Sequence, residues 1–204
     1  MSVVVLISGR GSNMHALLDA GLPVTAVISN EAEAKGLHTA AARGVATRIV
    51  DHRRFASREA FDAALAGEID RVAPRLIVLA GFMRVLTPGF VARYRQKLLN
   101  IHPSLLPAFP GLRTHERVLA AGAKVHGCSV HFVTAELDHG PIVIQAAVPV
   151  RSEDTAQTLA ARVLRQEHVI YPRAVRWFLD NKLVIDGDLV RVKGNDAQLV
   201  FSAD

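Results

Sequence analysis

Runs of aliphatic and β-branched residues, each followed by a helical stretch, constrain this chain more than any other feature. Val3 to Ile7 is continuously apolar, as a strand buried on both faces must be. It gives way to the turn-rich Ser8-Gly9-Arg10-Gly11-Ser12-Asn13 and a helix over residues 13–20. Further strands read over residues 24–29, 46–50, 76–80 and 98–101, with helices over 32–43, from a Ser57 N-cap to residue 72, and over 88–94 behind Pro88. This β-α-β-α rhythm predicts an α/β, Rossmann-like fold: a mostly parallel central sheet of about seven strands with helices on both faces.

The second half changes character. Residues 129–133 alternate like a strand, 142–150 read as another, and 155–179 as one long helix. Asp186-Gly187-Asp188 between apolar runs signals a hairpin over 183–192. Mixed or antiparallel strands are therefore expected in the C-terminal half. With no repeat and no low-complexity linker, residues 1–204 read as a single domain with halves 1–100 and 101–204.

Composition narrows the class. The longest apolar stretch, around Leu76 to Met83, is far short of the ~20 residues a membrane span needs. A single cysteine, Cys128, excludes an internal disulfide and makes a reducing cytoplasm the expected location. The net charge of +5 is spread along the chain without interleaved aromatics, so a nucleic-acid surface is not indicated, whereas anionic small substrates suit it.

Three segments carry chemistry. In the first loop, Gly9 and Gly11 permit a tight turn ahead of a helix, which is a ready phosphate site or, equally, a plain strand-to-helix turn. A Walker loop is excluded, and Met14 stands where a dinucleotide fingerprint needs its third glycine, although Glu31 lies where a ribose-binding acid would. In Leu98-Leu99-Asn100-Ile101-His102-Pro103, two polar side chains spaced by two share one side at a strand's carboxyl end, where parallel sheets bind ligands. An amide that stabilises an oxyanion beside an imidazole that moves a proton suits acyl transfer. A turn-capping Asn100 and a satisfied, buried His102 is the alternative. In the third segment, Asp138 of Thr134-Ala135-Glu136-Leu137-Asp138-His139-Gly140-Pro141 is a turn aspartate unless it finds an imidazole partner. No His-Glu-x-x-His pair or thiolate set points to a metal, and no Gly-x-Ser-x-Gly points to a serine hydrolase.

Taken together, Val5 to Asn13, Val78 to Arg84, Asn100 to Pro107, Ser129 to Val133, Leu137-Asp138 and Gln166-Glu167-His168 resemble the glycinamide ribonucleotide formyltransferases over nearly the whole chain. The resemblance implies the formyltransferase fold and formyl transfer from 10-formyltetrahydrofolate, a cosubstrate, to the amine of glycinamide ribonucleotide in purine synthesis, without metal. It implies that Asn100 polarises the formyl oxygen, that His102 is the general acid, and that Asp138 favours the histidine's charged form and relays protons through water. Gly11, Ser12 and Asn13 would hold the nucleotide phosphate, and Glu167 would contact the glycinamide side. The folate cleft would be lined by Met83, Arg84, Val85 and Leu86 with Asn100, Thr134, Ala135, Glu136, Leu137 and Asp138, and Arg58 would face the cofactor's acidic portion. The halves would then be a nucleotide-phosphate half and a folate and catalytic half. The partners implied are small molecules, with neither nucleic acid nor membrane, on a monomer or homodimer.

Three positions depart from the family pattern: His139, where relatives often have glycine, Leu164, where they can carry a polar or basic residue, and Arg10 at a variable position in the glycine loop. Leu106-Pro107 is expected to be cis, as in relatives. The nearest rival is formyltetrahydrofolate deformylase, in which the same three groups would serve water. With the glycine-loop strand beginning at Val3 and about a dozen residues following Val192, neither that enzyme's extra N-terminal domain nor the C-terminal domain of a methionyl-tRNA formyltransferase is expected. A nucleotide-binding module without catalysis would need the glycine loop but not Asn100, His102 and Asp138 together.

Overall fold

The apolar runs of the first hundred residues form parallel strands in the computed structural model, which describes residues 2–202. Contacts divide the chain into one compact unit up to Asn100 and another from Ile101. The first unit runs β1 (Val3–Ile7), α1 (Ser12–Asp19), β2 (Val24–Ser29), α2 (Lys35–Ala42), β3 (Ala46–Ile49), α3 (Arg58–Asp70), β4 (Leu76–Leu79), α4 (Pro88–Arg93) and the start of β5 (Leu98–His102). Every residue of β1 and β4 is buried, which is why both read as unbroken hydrophobic runs. β1 lies between β2 and β4, with Val5 opposite Val27 and Val78, and β4 aligns Leu79 with Asn100 of β5. Since all these strands are parallel, their carboxyl ends open on one edge.

Local chemistry sets the helix starts. The Ser57 hydroxyl accepts from Ala60 N at 3.1 Å and caps α3. Thr87 caps α4 with Pro88 in its first turn, and the buried Asp62 carboxylate accepts from Thr87 N at 2.7 Å, fixing α4 to α3. α2 starts at Lys35, three residues later than the sequence pattern, because Glu31–Ala34 is tied into a turn and Gly36 N bonds Gly9 O.

The second unit contains α5 (Thr114–Ala120), β6 (Val125–Phe132), β7 (Ile142–Pro149), α6 (Ala156–Leu179), the hairpin β8 (Leu183–Asp186) and β9 (Leu189–Val192), and β10 (Leu199–Phe201). β6 and β7 pair antiparallel, whereas β10 pairs parallel with β7. The hydrogen-bonded strand order is β10-β7-β6-β5-β4-β1-β2-β3, so the mostly parallel sheet has eight strands rather than about seven, and β8-β9 form a sheet of their own. The three residues of β10 are the addition, and α5 is likewise unanticipated. β6 begins four residues before the alternating pattern does. It includes Gly127, whose Cβ would stand 1.9 Å from Ala146 O, so the close pairing with β7 requires glycine.

Thr155 and Thr158 form a capping box at the start of α6. Just ahead of it, the Asp154 carboxylate takes two bonds from the Arg162 guanidinium, at 2.6 and 2.8 Å, and this holds its carboxyl well below the usual carboxylate range. Both side chains are buried, and Arg162 also donates to Pro149 O, so the pair joins the end of β7 to α6. Among the described residues no helix is long and apolar enough to cross a membrane.

Candidate functional site

The carboxyl ends of the strands carry the residues singled out above. In the first unit, β1 ends in the glycine loop. Gly11 stands at the N-cap of α1 with φ 71°, a left-handed conformation suited to glycine, and no side chain caps the helix. The backbone N–H groups at the start of α1 thus follow a loop in which Gly9 and Gly11 flank an exposed Arg10, and Ser12 and Asn13 form the helix's first turn. Gly36 lets α2 close on this loop: a Cβ there would stand 2.6 Å from Ile7 Cδ1 and 3.2 Å from Gly9 O. Beneath the loop, Ser8 Oγ donates to Asn30 Oδ1 at 2.5 Å and accepts from Met83 N at 2.7 Å, linking the ends of β1, β2 and β4. Glu31 faces Arg53 at 3.4 Å and His52 at 3.7 Å.

The segment after β4 has an unusual surface. Met83 and Val85 are exposed, by 65% and 57%, while Leu86 is buried. Exposed apolar side chains next to a strand end suit a flat organic ligand. Arg58, the first residue of α3, donates to Val85 O at 3.0 Å, so a guanidinium stands beside this apolar lip, and Arg84 lies between. Asn100, on β5 beside Leu79 of β4, ends the first unit.

In the second unit β5 finishes with His102, and its buried ring has acceptors on both nitrogens. Nε2 lies 3.1 Å from Phe109 O, and Nδ1 lies 3.4 Å from Asp138 Oδ2. Only the doubly protonated ring can donate to both. Asp138 reaches this position through a left-handed backbone, φ 53°, and its Oδ2 also accepts from Gly111 N at 2.8 Å. Its other oxygen, Oδ1, lies 3.9 Å from Nε2 of His131 on β6. The loop before Asp138 is shaped by Thr134, whose hydroxyl donates to Glu136 O at 3.1 Å, past Ala135, and leaves Leu137 exposed. The loop is closed by Gly140, where a Cβ would stand 1.7 Å from Phe132 O.

The remaining expectations fall in different places. Glu167 is buried on α6 near Cys128 of β6, and burial, then the charge of Glu167, push the Cys128 thiol far up. His139 points outward, with its Nδ1 3.7 Å from exposed Glu136, so it does not crowd the loop. The Leu106-Pro107 bond is cis. Sequence reasoning does not single out His131; it lies on β6, whose residues from His126 to Phe132 are buried on both faces, so alternation alone gives no signal for it. Among the described residues no group of three or more His, Cys, Asp or Glu is arranged to hold a metal ion.

A formyl transferase family model matches residues 1–175. The chain is 52% identical over 189 residues to the phosphoribosylglycinamide formyltransferase of Escherichia coli strain K12, covering 90% of this chain and 89% of that protein. It is 45% identical over 182 residues to the trifunctional purine biosynthetic protein adenosine-3 of Gallus gallus, covering 86% of this chain and 18% of that longer protein. Among solved structures, phosphoribosylglycinamide formyltransferase from Anaplasma phagocytophilum superposes with a TM-score of 0.93 at 42% identity, covering 98% of each chain. Glycinamide ribonucleotide transformylase 1 from Symbiobacterium toebii gives 0.91 at 46%, covering 94% of this chain and 93% of the other.

Proposed function

The chain belongs to the phosphoribosylglycinamide formyltransferases of the formyl transferase family, and from that premise we infer how its residues work. The enzyme transfers a formyl group from 10-formyltetrahydrofolate to the amine of glycinamide ribonucleotide, a step of purine biosynthesis. The amine nitrogen attacks the formyl carbon. The tetrahedral intermediate carries negative oxygen and positive nitrogen, and it collapses as the bond to the folate nitrogen breaks and that nitrogen takes a proton. One donor for the oxygen, one acid for the leaving nitrogen and one carboxylate to carry charge complete the requirement.

Asn100 supplies the amide donor for the oxygen. His102 supplies the acid. Its Nδ1 is engaged by Asp138, so the proton available to substrate is the one on Nε2, which otherwise goes to Phe109 O. Asp138 balances the imidazolium and passes the amine's proton on through water. The backbone of Gly11, Ser12 and Asn13 holds the ribonucleotide phosphate at the start of α1, and buried Glu167 serves the glycinamide side. Met83, Arg84, Val85 and Leu86, together with Thr134, Ala135, Glu136 and Leu137, bind the folate, with Arg58 for its acidic tail.

The observation that carries this reading is the buried His102–Asp138 contact at the end of β5. Deformylase chemistry is not favoured, because the relatives are formyltransferases of purine biosynthesis. The test is a spectroscopic assay of formyl loss from the folate, with and without glycinamide ribonucleotide. Loss that depends on the amine is expected, and loss without it would point to water as the acceptor, the deformylase reaction. His102→Ala should fold and lower turnover by ~10²–10⁴-fold, and Asn100→Ala should raise the barrier by ~3–4 kcal/mol. Near-wild-type kinetics in either variant would refute its assigned role.

A further inference from the structure

His131 is a buried imidazole that the roles above do not use. It sits on β6 with its Nδ1 2.9 Å from Phe132 O, a contact only Nδ1–H can make, so in the neutral ring Nε2 carries a lone pair. That lone pair faces Oδ1 of Asp138 at 3.9 Å, while Oδ2 is occupied by His102 and by Gly111 N. Two imidazoles therefore bracket one carboxylate, each on its own oxygen. Burial pushes His131 below the ordinary histidine value, against upward pushes from the Phe132 carbonyl and Asp138, and the neighbouring His102 adds to the lowering. His131 is thus set up to stay neutral beside the carboxylate that His102 contacts.

We propose that His131 is a positioning residue for formyl transfer, acting through Asp138. This rests on the reading of His102 and Asp138 given above. A neutral Nε2 can bond Oδ1 only when a proton lies between them, and that condition arises when Asp138 receives the amine's proton from the relaying water. Oδ1–H then donates to His131, so the carboxyl keeps Oδ2 on His102 and Gly111 while it carries the proton. His102 gives its Nε2 proton to the leaving folate nitrogen, and the proton held on Asp138 returns through water to His102, so the cycle ends with no net proton gained or lost. The groups that set the balance are His102 on β5, Asp138 in the loop before Gly140, and His131 itself on β6.

The test compares wild type with His131→Leu, which fills similar space without an acceptor, and His131→Gln, whose amide oxygen restores one. His131→Leu should lower kcat by ~10–100-fold, the usual effect of losing a partner that orients a site residue. Its KM for both substrates should stay within about twofold. Protonated Asp138 would lose its acceptor, so the acidic limb of the kcat–pH profile should move to lower pH. His131→Gln should recover much of the rate and the wild-type limb. Equal losses in both variants with an unmoved pH profile, or wild-type kcat in His131→Leu, would overturn the proposal. If His131→Leu does not fold, the pH profile of His131→Gln decides: a wild-type limb supports the proposal and a displaced one overturns it. Absence of formyl transfer in the wild type would instead remove the reading beneath it.

Discussion

Ser129 offers the sharpest test of how the site is built. Its hydroxyl is fully buried on β6 and uses its whole bonding capacity: it donates to Ser104 O at 2.7 Å and accepts from Leu106 N at 3.0 Å and Gln145 Nε2 at 2.8 Å. These bonds hold the turn that follows His102, and Gln145 Nε2 adds a bond to Leu106 O at 2.9 Å. Ser129→Ala removes all three hydroxyl bonds while hardly changing volume. Gln145 keeps its second acceptor, but Ser104 O and Leu106 N lose the partner they had. An unsatisfied buried group costs about 1–3 kcal/mol, so with partial relaxation the loss for the pair should be about 2–4 kcal/mol. At this chain length each kcal/mol moves the melting temperature by about 2–4 °C, giving a drop of roughly 5–15 °C. Thermal unfolding followed by circular dichroism reads this directly, with exposed Ser152→Ala as a control expected to stay within ~0.5 kcal/mol of wild type. Turnover should fall as well, because the turn fixes the segment beyond His102. A Ser129→Ala enzyme that melts within about 1 °C of wild type would show that the buried node carries little of this energy.

Two further outcomes follow from close packing and from buried charge. Gly140→Ala would set a Cβ 1.7 Å from Phe132 O, so β6 and the Asp138 loop must separate; circular dichroism melting should show a loss of more than ~3 kcal/mol, and turnover should fall with it. His126, buried on β6 with its Nε2 3.1 Å from His115 Nδ1, is pushed down to about 4 by burial, then by the neighbouring His115 and His102. As pH falls, the unfolded chain takes up this proton before the folded one does. The stability gained by burying the neutral ring is therefore complete above pH ~6.5 and is lost between there and about 4. Discounted for partial solvation, that loss is about 1–3 kcal/mol, visible as a falling urea midpoint that His126→Gln should flatten; an equal slope in both proteins would exclude His126 as its source.

How far the sequence could be read depended on whether a segment's form was dictated locally. Val3–Ile7 read to the residue, because a strand buried within a parallel sheet writes its burial into an unbroken apolar run, and Val24–Ser29 read to the residue on the shorter apolar run Ala26–Ile28. Ser57 announced α3 through its capping hydroxyl. By contrast, α5 has Arg113 in a left-handed N-cap position with no side-chain cap, so nothing in Thr114–Ala120 marks where it starts. β10 exists through three residues paired with β7, a long-range match that local propensity cannot encode. At the site, Asn100 and His102 were legible as strand-end residues, whereas the donor to Asp138 and the acceptor for His102's second nitrogen were not. Gly111 N and Phe109 O are backbone groups, and backbone groups leave no trace in residue identity.

Asp138 joins two demands that few residues meet together. Its backbone lies in the left-handed region, which among side chains with a Cβ is tolerated best by aspartate and asparagine. Lengthening the carboxylate to glutamate therefore changes the loop's course as well as its reach, and alanine loses the charge while straining the chain. Asparagine alone removes the charge and leaves the path intact. The geometry of one peptide unit thus narrows the alphabet open to selection at this position, before any demand of chemistry is counted.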